Sequence, residues 1–384
     1  MFNKIWEVFW RFLGLVFISF GGPAAHIGYF QKTFVQKLQW IDSQAYARLI
    51  SMSQFLPGPG SSQIGFAIGV RRAGIFGGIA AFVGFTLPSF LLLYFLATTN
   101  SEQYSSVFAG IVHGLKLLAV VVVADAVLSM FKSFCKERIS IAIAVFTSAA
   151  LLFMPSLWTQ MSVLVMAAIV GILYTKPNLH NNLAKIRFKK LPLIVFFIFF
   201  FGLPFLAVMS PWLELFSDFY QSGSLVFGGG HVVLPLLQQT LGDSISTDRF
   251  LLGYASAQAV PGPMFSVAAF LGADLSPDNQ LLGSVLATVA IFLPGFLLLL
   301  GLQGTWESLV AKPKIAGAVW GINAAVVGLL LSALYNPIFT SAVSTPVEMS
   351  LVIIGFFLLR TVRIPIVILA FAFGAIGVLL ITSM

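Results

Sequence analysis

The stretch QFLPGPGSSQ, residues 54–63, lies in an apolar run and sets two prolines around a glycine. Proline removes a backbone donor and its ring clashes with the preceding turn, so Pro57 and Pro59 flanking Gly58 break any helix built on this run. The device recurs as QAVPGP at 258–263, with Pro261, Gly262 and Pro263 offset by 204 residues. Working outward, FGG at 20–22 returns at 227–229, an offset of 207. FTLPSFLLLYFL and IFLPGFLLLLGL carry Pro88 and Pro294, 206 apart, and HGLK from His113 is answered by WGIN from Trp320, 207 apart. Four anchors in one order at a nearly constant spacing mark an internal duplication.

Hydrophobic residues make up 59% of the 384 positions and charged residues 9%, against roughly 25% charged in an ordinary soluble domain. A soluble core does not use that much apolar surface. A bilayer-crossing helix does, needing roughly 20 apolar residues and satisfying its own backbone. The formal charge of +8 is spread over short gaps between apolar runs rather than gathered in a patch, which excludes nucleic acid as partner and fits retained cytoplasmic loops. Cys135 is the single cysteine, so an intrachain disulfide is excluded, and no cysteine or histidine set has metal-ligand spacing. The N-terminal run MFNKIWEVFWRFLGLVFISFGGP contains Glu7 and Arg11 and lacks a small-residue cleavage site. It reads as a retained first membrane segment.

Apolar segments fall at about 5–20, 45–70, 75–98, 107–130, 139–155 and 158–174, followed by the basic stretch KPNLHNNLAKIRFKK at 176–190. A linking segment at about 191–209 precedes six more, at 212–227, 249–272, 281–303, 314–335, 340–359 and 364–383. The expected fold is an all-α polytopic membrane protein of about 13 segments: a first repeat at 1–175, a basic loop and linking helix at 176–211, and a second repeat at 212–384. An unpaired linking helix reverses orientation, giving inverted repeats with Pro-Gly-Pro-interrupted helices. With a cytoplasmic N-terminus in the inner membrane, the cytoplasmic gaps hold Arg71, Arg72, Lys132, Lys136, Arg138, the basic loop, Arg249, Lys312, Lys314, Arg360 and Arg363. The opposite gaps hold Glu102, Asp274 and Asp278. The positive-inside rule favours this arrangement, with the C-terminus periplasmic or extracellular. Lys32, Lys37 and Arg48 are exceptions and leave open a re-entrant first element in each half.

Helix breaks free backbone groups that need partners, and inside a membrane these can line a pathway. The helix after the first break begins with Gly60, Ser61, Ser62 and Gln63, whose unpaired amides and positive dipole end suit an anion. The competing reading of each break is a packing kink. In FGGPAAH, Gly21, Gly22 and Pro23 precede His26; in FGGGH, Gly228, Gly229 and Gly230 precede His231. These glycines permit close backbone approach and the histidines add donors, against the alternative of tight helix packing. Gln54 and Gln258 each stand before a break, where a neutral amide can donate to an oxyanion or satisfy freed carbonyls. Lys116 and Asn323 occupy corresponding places. A cation at mid-segment faces the bundle interior or water, where Lys116 can neutralise an anion; the competing readings are snorkelling of its long stem and pairing with Asp125, which at nine positions on is about 13 Å away along the helix, too far for direct local pairing.

The sequence carries no GxSxG, no P-loop and no paired carboxylates in a polar setting, so no enzyme, metal or cofactor is expected. Together, FGGPAAHIGYF, QFLPGPGSSQ, FGGGHVVLPLL and QAVPGP resemble the chromate ion transporter family in its long two-domain form. The resemblance covers nearly the whole chain. It implies efflux of chromate from the cytoplasm, with sulfate as a structural analogue, and an importer or channel for such anions as the alternative. It also implies site roles for Gly21, Gly22, Pro23, His26, Gln54, Pro57, Gly58, Pro59, Ser62, Gly228, Gly229, His231, Gln258, Pro261, Gly262 and Pro263. Set side by side, Ser61, Ser62 and Gln63 stand against Met264, Phe265 and Ser266, which weights the site toward the first repeat. The bilayer is the surrounding partner, and assembly as a homodimer is left open.

Overall fold

The computed structural model describes residues 2–17, 19, 22–99, 106–174, 189–227, 233–304 and 312–382, and among them the regular elements are helices. The first half comprises α1 (Phe2–Val16), α2 (Gly22–Phe30, running on as a π-helical stretch at Gln31–Lys37), α3 (Ser43–Phe55), α4 (Gly60–Thr98), α5 (Ser106–Phe134), α6 (Arg138–Phe153) and α7 (Leu157–Tyr174). The linking helix is α8 (Lys190–Leu206). The second half follows with α9 (Pro211–Leu225), α10 (Val233–Leu241), α11 (Thr247–Ala259), α12 (Val267–Asp274), α13 (Gln280–Leu302), α14 (Pro313–Ala333), α15 (Pro346–Phe357) and α16 (Ile366–Thr382). Five helical stretches among the described residues are long and apolar enough to cross a membrane, at Gly60–Thr98, Ala109–Phe134, Lys190–Met209, Pro277–Leu302 and Pro313–Ala342.

The runs 45–70 and 249–272, expected as interrupted spans, are helical hairpins. Asp42 caps α3 by accepting from the Ala45 amide at 2.8 Å, and its other oxygen meets Arg71 at 3.3 Å. Were α3 and residues 60–72 collinear, each about 20 Å long, these two side chains would lie about 40 Å apart. The chain therefore turns back at Pro57–Gly58–Pro59. The second hairpin closes the same way: Ser246 caps α11, and Arg249 Nε donates to Asp274 Oδ1 at 2.8 Å across the bases of α11 and α12. Gly58 and Gly262 take φ values of 112° and 128° at the two tips, a region that side-chain-bearing residues resist. Arms of this length are shorter than the roughly 30 Å apolar core of a bilayer.

α4 folds back once more, where Ala73 (φ −144°, ψ 26°) and Gly74 (φ 70°, ψ −165°) leave helical space. A β-carbon on Gly69 would collide with the carbonyl of Gly77, although eight residues of continuous helix would separate them by about 12 Å. The arm 60–72 belongs to the hairpin, and the arm 75–98 is the long element. α1 packs on the long arm, where Gly84 meets the Phe9 carbonyl at 2.6 Å of an added β-carbon. α9 packs on α13 in the corresponding way.

The two hairpin bases sit at opposite ends of the long arm. Arg72, at its start, donates to Glu7 at 2.8 Å and lies 4.9 Å from the ring centroid of Trp40, so α1 and the α2 segment also return to that end. Arg249 of the second hairpin donates to the Ala97 carbonyl at 3.0 Å, at the arm's other end. The remaining long helices exchange partners: α5 packs against α16 and α14 against α7. Gly114 abuts the Phe373 backbone and Gly321 the Ala167 backbone so closely that a methyl group would overlap either carbonyl.

Candidate functional site

Each hairpin tip rests on the middle of the other half's long helix. A β-carbon on Gly58 would stand 3.0 Å from Gly295 Cα, and one on Gly262 2.7 Å from Ser89 Oγ. Gly295 and Ser89 each follow a helix proline, Pro294 and Pro88. The Gly58 amide donates to the Val226 carbonyl at 2.7 Å. Gln63 Nε2 donates to Pro57 O at 2.9 Å and to Gly295 O at 3.2 Å, which satisfies a carbonyl freed by the break and fastens the tip to α13. That duty was weighed for Gln54 on sequence; the structure gives it to Gln63. Gln63 is thereby a fastening with its donors spent.

Counted from the tips, where the offset is 204, Gly60 corresponds to Met264, Ser61 to Phe265 and Ser62 to Ser266. This corrects the side-by-side comparison that set Gln63 against Ser266, because the tips fix the register. Ser266 Oγ shares a 2.7 Å hydrogen bond with Ser89 Oγ. The counterpart of Ser89 is Gly295, which has no hydroxyl. Ser62, 5% exposed, accordingly keeps a buried Oγ without a hydrogen-bond partner, at the N-terminus of α4.

His26 is buried beside the same terminus, with Nε2 3.1 Å from the Ser19 carbonyl and Nδ1 3.2 Å from Ser61 Oγ. A carbonyl only accepts, so in the neutral ring Nε2 carries the hydrogen and Nδ1 accepts the Ser61 proton. Ser61 is therefore committed to His26, and the free donors at this terminus are the Ser62 hydroxyl and the first backbone amides. Gly22 and Pro23 open α2. Gly21, Gly228, Gly229, Gly230 and His231 lie outside the described residues.

Beyond the first tip, Gln54 and Asn323 come together in a cleft of about 710 Å³ with Lys136, Glu137, Tyr174 and Trp320. Tyr174 stacks on Trp320 at 5.3 Å. Asn323 Oδ1 is buried without a partner. The cleft takes residues from α3, α5, α7 and α14 and none from the second tip. Lys136 was read on sequence only as a loop charge; nothing in its local pattern separates a cleft cation from any other cytoplasmic lysine.

Lys116 is not in this cleft. Its Nζ donates to Asp248 Oδ1 at 2.7 Å, while Asp125 is held by Arg360 at 2.8 Å. Close by in sequence, His113 pairs with Glu348 at 2.8 Å, the carboxylate that also caps α15 through the Ser344 and Thr345 amides. Gln258 hydrogen-bonds Tyr254 inside the second hairpin. Pro261 and Pro263 flank the second tip, whose hydroxyl, Ser266, is already bonded.

A multi-pass helical membrane protein with broken hairpin tips, free donors at a buried helix N-terminus and a cleft beside the first tip is built as a transporter. The chain belongs to the Chromate transporter family, whose profile matches residues 6–173 and 213–378. It is 25% identical to the chromate transport protein of Pseudomonas aeruginosa over 336 residues, 84% of this chain and 79% of the relative. The chromate transport protein of Cupriavidus metallidurans is 25% identical over 337 residues, 84% of this chain and 80% of the relative. An uncharacterised transporter of Methanocaldococcus jannaschii is 27% identical over 340 residues, covering 85% and 82%. No solved structure matches the chain.

Proposed function

We propose that the protein exports chromate from the cytoplasm, taking the dianion at the N-terminus of α4 and releasing it on the far side of the inner membrane. One observation carries this reading. A nine-tenths-buried hydroxyl, Ser62 Oγ, has no partner in the protein, at a helix end whose dipole favours negative charge. Lys136 at the mouth of the adjoining cleft attracts the anion. Gln54 and Asn323 offer neutral amides that bind it reversibly. The membrane potential supplies about 2.3 kcal/mol per charge per 100 mV, so a dianion leaving a negative interior gains roughly twice that without ATP.

The halves, 1–175 and 212–384 joined through 176–211, work in this reading as inverted repeats. The opposite placement of the two hairpin bases along the long arm of α4 supports that arrangement. It also supports a cytoplasmic first base, because Lys32, Lys37, Arg48, Arg71 and Arg72 then share one side. The C-terminus lies opposite the N-terminus.

Chromate uptake into inverted vesicles holding the purified protein tests the assignment. The expected result is saturable uptake that an interior-positive potential accelerates and sulfate inhibits. Non-saturating flux would make the protein a channel, and uptake only of sulfate would change the substrate.

A further inference from the structure

The 710 Å³ cleft has a counterpart elsewhere in the molecule that the internal duplication locates. Gln54, Val319, Trp320 and Asn323 line the cleft, and their equivalents are Gln258, Val112, His113 and Lys116. At the equivalent place stand two side-chain pairs, one of them an ion pair. His113 holds Glu348 at 2.8 Å and Lys116 holds Asp248 at 2.7 Å. Both pairs join the first half to the second. Asn323, standing where Lys116 stands, has no partner for its buried oxygen. The face with the cleft is thus neutral at these two positions, and the other, the paired face, is tied across the halves by groups that exist on that side alone.

We infer that Lys116 and Asp248 form the outer gate, and that the Asp248 carboxylate occupies on Lys116 the position the transported oxyanion takes as it leaves. The Lys116 side chain is 11% exposed and that of Asp248 is 68% exposed. The cation is therefore fixed in the protein, whereas its partner sits at the water boundary, on the first turn of α11 at the base of the second hairpin. An anion arriving from the tip meets a cation whose counter-charge is a single carboxylate, tethered and free to swing into water. Exchange of one oxyanion for another on Lys116 leaves the buried charge paired throughout, so opening does not strand it. Arg249, the next residue, is fastened to Asp274 and to the Ala97 carbonyl, so the base of the hairpin stays anchored while Asp248 lets go. The inference rests on the transport reading for the identity of the anion, but not for the existence of the gate.

The experiment uses full-length protein with Cys135→Ala and Val112→Cys, the latter a half-buried position on the paired face. A membrane-impermeant maleimide is applied to that side, and chromate is tested for its ability to slow the reaction. Asp248→Asn, a change at an exposed side chain, is expected to speed labelling several-fold and to lower the chromate concentration that protects. Adding Lys116→Ala is expected to keep labelling fast and to abolish protection. The exchange of Lys116→Asp with Asp248→Lys is expected to restore slow labelling. Unchanged labelling in Asp248→Asn overturns the gate, and faster labelling without any change in chromate protection overturns the shared position on Lys116. If the parent protein moves no chromate in vesicles while Asp248→Asn still labels faster, the gate stands and the chromate assignment falls.

Discussion

A buried hydroxyl with no partner is costly, at about 1–3 kcal/mol of desolvation, and Ser62 carries that cost at a helix end suited to anions. The cost separates a ligand from a structural serine. Ser62→Ala is expected to leave the melting temperature unchanged or raise it, while weakening chromate about tenfold, equivalent to about 1.4 kcal/mol. Ser266→Ala removes the hydrogen bond that Ser266 makes to the Ser89 hydroxyl and is expected to lower stability by about 1 kcal/mol with a smaller effect on affinity. Thermal unfolding and equilibrium binding on both variants check this, and a destabilised Ser62→Ala with normal affinity would remove Ser62 from the site. At this scale the sequence named candidate residues, and the structure shows what several of them bond to. The Pro-Gly-Pro breaks and the duplication were plain in the residues. That Gln63 fastens the tip and that His26 occupies Ser61 depended on approaches between residues 35 or more apart in sequence or across the two halves, which spacing along the chain does not reveal. Lys116 illustrates the same limit: its partner, Asp248, is 132 positions away.

Among the elements, the hairpins differ most from what hydropathy implies. Hydropathy counts apolar residues but is blind to direction, so a run that enters and returns scores like one that crosses. The sequence did hold a sign, since Lys32, Lys37 and Arg48 broke the charge rule that the other basic residues obeyed. A hairpin brings Asp42 beside Arg71, whereas an interrupted span holds them about 40 Å apart. In a Cys135→Ala background, Asp42→Cys with Arg71→Cys is therefore expected to be joined by a short bifunctional thiol reagent. Mass spectrometry of the linked peptides reads the result, and absence of the link with both thiols reactive would count against the hairpin. The tips make a second demand on backbone. Gly58→Ala forces a side-chain residue to φ 112° within 3.0 Å of Gly295. A strained backbone of this kind costs on the order of 1–3 kcal/mol, so the variant is expected to melt earlier and to lose transport. Gly28→Ala, at a glycine with open space, is the matched control.

For the whole molecule, the interlock of halves and the side of each charge follow from the same geometry. α5 pairs with α16 and α14 with α7, so neither half completes its own packing, an exchange that no local pattern in the sequence encodes. In the proposed orientation, with the N-terminus cytoplasmic, the hairpins change the side on which two charges fall. Thirteen simple segments with a cytoplasmic N-terminus put Lys37 outside and Arg249 inside. Returning hairpins reverse both: Lys37 precedes Trp40, which lies against Arg72 beside Glu7 near the N-terminus, and Arg249 sits with Asp274 and Ala97 at the far end of the long arm of α4. The second arrangement gathers Lys32, Lys37, Arg48, Arg71 and Arg72 on one side and leaves Arg249 opposite, paired with a carboxylate. That is the distribution the positive-inside rule favours. Single cysteines at Lys37 and Asp278 in a Cys135→Ala background test it in intact cells with an impermeant maleimide. Asp278→Cys is expected to label from outside, and Lys37→Cys only after the membrane is permeabilised. Labelling of Lys37→Cys from outside would put the first hairpin's base, with the cleft's assigned face, on the other side of the membrane.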